Sequence, residues 1–160
     1  MMNFNDKEEI KNAGFRGFVK VEQLRNDYSC IPSTPGVYLV LNPKRKKDFL
    51  TVGTGGYFHG KEPNVAMSEL ENNWVDDTIV VYIGKTKDTL QKRIKTYMQF
   101  GQREDVAHYG GRFIWQLRHS AELEVCWMPL NGEDSREVEK RLIQEFKKEY
   151  GKRPFANLID

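Results

Sequence analysis

Apolar residues recur along this chain in two rhythms, one of strands and one of helices. Gly36–Leu41 (GVYLVL) is a β-branched and aromatic run ended by Asn42-Pro43, which predicts a strand. Thr78–Gly84 (TIVVYIG) predicts a second. Glu122–Leu130 alternates Leu123, Val125 and Trp127 inward against Glu122, Glu124 and Cys126, the period of a third, half-buried strand. Between these, Leu90, Ile94, Tyr97 and Met98 mark a helix from about Thr89 to Phe100, opened by Asp88 as N-cap and closed by Gly101. Val138, Leu142, Ile143, Phe146 and Tyr150 mark another, capped by Asp134 or Ser135 and stopped at Gly151, about 22 Å long.

Weaker signals fill the gaps. Residues 1–12 are polar and read as frayed or weakly helical. Phe15, Phe18, Val21 and Leu24 recur every third residue, which suits a packing segment at the edge of the core. Tyr28–Pro35 reads as a linker. Val65–Leu70 suggests a helical turn, Trp74 a buried anchor, and Arg112–His119 a short helix with Phe113, Ile114 and Leu117 facing in. Beyond Pro154 the tail folds back on the body. The order ββααβα predicts an α+β domain with a small sheet covered by helices.

At 160 residues, with 39% hydrophobic and 30% charged residues, the chain suits one domain with a real core. Its net charge of +2 does not announce a polyanionic partner, so any such partner must be recognised by local clustering. No targeting segment or membrane-length apolar run is visible, and a cytoplasmic location is the expectation. Cys30 and Cys126 read as reduced thiols, and His59, His108 and His119 lack a zinc-ligand spacing.

Three stretches carry candidate chemistry. Lys44-Arg45-Lys46-Lys47 is either a solvated loop or a phosphate contact. GTGGYFHGK places Gly55, Gly60 and Lys61 at the spacing of a phosphate-cradling loop. However, Glu62 stands where a Ser or Thr would hold magnesium, so a flexible insertion is the better description. Residues 85–95 gather Lys85, Lys87, Lys92, Arg93 and Lys95 against Asp88 alone. Arg93 and Tyr97, one i,i+4 step apart, share a helix face, and together they suggest a grip on a phosphodiester.

With Gly36-Val37-Tyr38 and Tyr82-Ile83-Gly84 both at strand positions, residues 35–159 resemble the GIY-YIG nuclease superfamily. The resemblance is carried further by Lys85, by Arg93 with Tyr97, by Glu139 with Leu142-Ile143, and by Pro154 and Asn157 in the tail. It implies an α+β fold: a small three-stranded antiparallel sheet flanked by helices, formed by residues 32–160 after an N-terminal extension, 1–31. Leu39–Val81 is longer than the family's usual hairpin, so residues 43–78 are an insertion between the first two strands.

The implied activity is metal-dependent endonuclease cleavage of nucleic acid, DNA in the first instance, though nothing in the sequence separates DNA from RNA. Tyr38, Tyr82, Arg93, Tyr97 and Glu139 map to the catalytic positions, and Lys85, Lys87, Lys92 and Asn157 to nucleic-acid contacts. Glu139 is the metal ligand, for Mg²⁺ or Mn²⁺. Arg93 would hold the non-bridging oxygens. Tyr38 would be the general base, helped toward phenolate by Lys85 and Arg93, with Tyr82 and Tyr97 orienting water and phosphate. Each residue also has a plainer reading. The tyrosines could be sheet aromatics, Glu139 could pair with Arg136 or Arg141, and Asn157 could cap a turn. The alternative function is a catalytically silent module that binds nucleic acid or protein on the same fold.

Overall fold

In the computed structural model, which describes residues 1–159, the chain folds into helices around one antiparallel sheet. The strands are β1 (Arg16–Lys20), β2 (Gly36–Leu41), β3 (Val80–Thr86) and β4 (Glu124–Pro129). The helices are α1 (Lys7–Asn12), α2 (Val21–Leu24), α3 (Met67–Asn73), α4 (Leu90–Phe100) and α5 (Ser135–Tyr150), with 3₁₀ turns at Phe58–Gly60, Tyr109–Gln116 and Ser120–Glu122. The order across the sheet is β1-β4-β2-β3, so the sheet has four strands where three are expected.

The extra strand comes from the segment expected only to pack at the edge. Gly17 and Phe18 have positive φ and the β1–β4 register shifts between Gly17 and Val19. That bulge breaks the period-two signal and leaves β1 mostly exposed. The residues before it are helical from Lys7, because the Asp6 side chain accepts the Glu8 and Glu9 amides.

β2 is central and wholly buried, pairing with β3 on one side and β4 on the other. On one face Tyr38, Val40, Val125 and Trp127 meet α4, the Tyr109–Gln116 turn and the 43–78 segment. On the other, Val37, Leu39, Leu41, Ile83 and Cys126 meet Phe4, Ile10 and the α5 stripe of Val138, Leu142, Ile143 and Phe146. Alternation along β4 therefore separates two cores and not core from solvent, and Cys126, expected outside, is buried. Cys30 is exposed, and both thiols are free.

The 43–78 segment is packed against the body. Gln116, buried, donates to the Leu50, Thr51 and Val65 carbonyls and accepts from the Val65 amide. A Cβ at Gly53 or Gly56 would lie 2.2 Å from the Trp115 carbonyl oxygen or 2.0 Å from that of Glu104, so the glycines serve close backbone approach. Three of the four basic residues make internal contacts: Lys44 pairs with Glu122, Lys47 with Glu71, and Arg45 donates to Asn5.

Candidate active site

The N-terminal half of β2 and the middle of β3 set the floor of the site. Tyr38 faces Gly84 across the ladder, and its ring lies directly on that glycine: a Cβ there would come within 2.3 Å of the phenol Cζ. The second tripeptide thus needs glycine because the first tripeptide's tyrosine occupies its side-chain space. Tyr82, two residues back on the same face, sits 6.1 Å from Tyr38, ring centre to ring centre.

Helix α4 supplies the wall. Its N-cap is Thr89, whose side chain accepts the Lys92 amide, and not the expected Asp88, which instead pairs with Lys92. The Leu90 and Gln91 amides are taken by the Thr34 and Pro32 carbonyls, so the 32–35 linker fastens the helix start to β2. One turn in, Arg93 reaches the cleft while one guanidinium nitrogen donates to the Ala107 carbonyl at 2.6 Å.

A cleft of about 450 Å³ opens beside β3, the sheet's edge strand. Tyr38, Tyr82, Lys85, Arg93, Glu139 and Asn157 all line it, with Tyr109 and Arg112 on its rim. Although α5 packs on the sheet face opposite Tyr38, Glu139 lies on the part of that helix beside the β3 edge and reaches the same cleft. Its carboxylate is half-buried and, among the described residues, forms no ion pair, neither with Arg136 nor with Arg141. Burial raises its pKa, opposed by Lys85 and Arg136.

The other expected site residues lie apart from the cleft or are already engaged. Tyr97 is fully buried, donates to the Gly111 carbonyl at 2.7 Å and stacks on His108. Asn157 bonds the Ile83 amide and carbonyl at 2.9 Å each, so its amide completes the β3 edge as a strand would. Lys92 is exposed beside Asp88, and Lys87 lines a neighbouring depression that shares Glu139.

His108 is the functional candidate that the sequence did not single out. Its Nε2 lies 2.8 Å from the Tyr38 hydroxyl, and its ring is 3.6 Å from that of Tyr97, nearly parallel. The only local signal was a histidine before Tyr109-Gly110-Gly111 in a polar loop. Burial drives the imidazole well below its usual pKa, assisted by the Arg93 charge, so the ring is neutral.

Burial also decides the phenols. Tyr38 is pushed up to about 12, because desolvation outweighs the pull of Arg93. The expected help toward phenolate is therefore overcome, and Tyr82 and Tyr97 are likewise raised by burial.

Among the described residues no three His, Cys, Asp or Glu side chains gather as a metal cage. One unpaired carboxylate in an open cleft fits a hard, hydrated divalent ion that draws most ligands from water and substrate oxygens, and does not fit a zinc centre. Comparison of the chain with models of protein families, with curated proteins and with solved structures returns no match.

Proposed function

We propose that this protein is a metal-dependent endonuclease of the GIY-YIG type, hydrolysing phosphodiester bonds of nucleic acid, with DNA as the first substrate to try. The observation that carries the reading is the meeting of Tyr38, Tyr82, Lys85, Arg93 and Glu139 from two strands and two helices in one cleft. Three cations, Lys85, Arg93 and Arg112, line it against one carboxylate, a balance that favours a phosphate.

In this reading Arg93 holds non-bridging oxygens, and its bond to the Ala107 carbonyl fixes the guanidinium plane. Tyr38 takes the proton of the attacking water as its own hydroxyl proton passes to Nε2 of His108, the hydrogen of the neutral ring then sitting on Nδ1. Relay to a neutral imidazole removes the need for a standing phenolate, which burial forbids. Glu139 would hold Mg²⁺ or Mn²⁺, whose charge, when bound, offsets that building on the leaving oxygen. Tyr97 is a positioning residue that holds the imidazole by stacking, worth about 0.5–1.5 kcal/mol.

The test is cleavage of labelled single-stranded, duplex and branched substrates with Mg²⁺ or Mn²⁺ and with chelator. Glu139→Ala should lower the metal-dependent rate by about three orders of magnitude, as several kcal/mol of charge stabilisation requires, with binding retained. Wild type that binds but cleaves nothing across metals and pH would leave the silent binding module as the function.

A further inference from the structure

Two further depressions continue the cleft along α5. Next to the cleft, and sharing Glu139 with it, is one of about 280 Å³ that Lys87, Arg136 and Lys140 line together with Asp134 and Glu137. Sharing Lys140 in turn is one of about 380 Å³, lined by Lys140, Gln144, Lys147 and Lys148. Linked through Glu139 and then Lys140, the three mark out a path from the tyrosines to the far half of α5.

The path carries a local excess of positive charge. Eight cations line it against three carboxylates, a surplus of five in a chain whose net charge is +2. The rest of the molecule is therefore net negative. One of the three carboxylates, Asp134, is already engaged as the α5 N-cap. All six ion pairs found among the described residues lie off the path, and Lys87, Arg136, Lys140 and Lys148 belong to none of them. Lys87, Arg136, Lys140 and Lys148 are exposed.

We infer that this path is the track of a nucleic-acid backbone, which leaves the cleft past Glu139 and runs along the Arg136–Lys148 side of α5. The inference rests on reading the cleft as a phosphodiester site, and adds which part of the substrate is held and by what. From Arg136 to Lys148 is about 18 Å along the helix, the axial rise of about five nucleotides. The track bonds phosphates and carries no base readout, so it fits a strand of any sequence that extends about five nucleotides beyond the cut.

Fluorescence anisotropy with a labelled oligonucleotide of about twenty nucleotides, single-stranded and duplex in separate arms, tests this in chelator, where turnover is silent. Lys140→Gln/Lys148→Gln removes two exposed charges without touching the core, and Lys11→Gln serves as the off-track control. The double variant should lose about tenfold or more in affinity. Its slope of log affinity against log salt should fall by about 1.8 for duplex or 1.4 for a single strand, with the control unchanged. With Mg²⁺ present, KM should rise and kcat hold. Unchanged affinity and slope in the double variant overturn the track even if wild type cleaves, and so does a wild type that binds neither probe. Track-dependent binding without cleavage supports the track while sinking the nuclease.

Discussion

Tyr38 and His108 form a buried pair, hydroxyl to Nε2 at 2.8 Å, in which loss of water holds each ring in its neutral state. Two pH effects on stability follow. The folded-state pKa of His108 lies below the unfolded value of about 6.5, so below that pH the unfolded chain takes up a proton that the native ring refuses. Stability should fall as the solution is acidified through 6.5, and His108→Gln should flatten that limb of a denaturation series. On the alkaline side Tyr38, near 12 when folded and near 10 when unfolded, should remove stability as pH rises between those values. If the proposed relay operates, His108→Gln should cost about 10²-fold in kcat with little change in KM, because the relay would act on the reacting proton and not on substrate affinity. An unchanged kcat would exclude the relay.

At the scale of elements, the C-terminal tail acts as a partner for β3. Ala156 donates to the Val81 carbonyl, and the Asn157 amide takes both backbone groups of Ile83, closing an edge that would otherwise be open beside the cleft. Asn157→Ala should leave a buried amide and carbonyl unpaired, at about 1–3 kcal/mol, and should lower the melting temperature by several degrees. Nucleic-acid affinity in chelator should stay within about twofold, since the side chain spends its hydrogen bonds internally. A loss of affinity at full stability would instead assign Asn157 to the substrate. The sequence made the tail's return legible through Pro154. Which of its atoms face the strand and which face the cleft depends on β3 being an edge, and that is a property of the whole sheet.

For the molecule as a whole, residues 1–31 are structural. Phe4, Ile10, Phe15, Val21, Leu24 and Ile31 are all buried, and β1 covers the outer side of β4. At about 1.5–3 kcal/mol for each large apolar side chain buried, their loss rivals the 5–15 kcal/mol that holds a typical domain together. A chain starting at residue 32 should therefore show no cooperative melt, whereas an independent appendage could be removed with the transition intact. No helix among the described residues is long and apolar enough to cross a membrane.

Sequence alone determined what neighbours within a few residues decide. It set the β-branched runs that became β2 and β3, the heptad-like stripe and αL glycine that bound α5, and the charge cluster after Gly84. The family resemblance, not spacing alone, pointed to Tyr38, Tyr82, Lys85, Arg93 and Glu139, which line one cleft. The sequence missed β1, whose bulge hides its period, and it missed His108, whose partner Tyr38 stands seventy residues away. Tertiary structure alone decided protonation and reach: burying Tyr38 under α4 and the 108–116 loop keeps its proton on, and the place of β3 at the sheet's edge lets Glu139 reach the same cleft from the opposite face. The physical reason is that periodicity and capping are set by adjacent residues, whereas desolvation is set by whatever distant segment excludes the water.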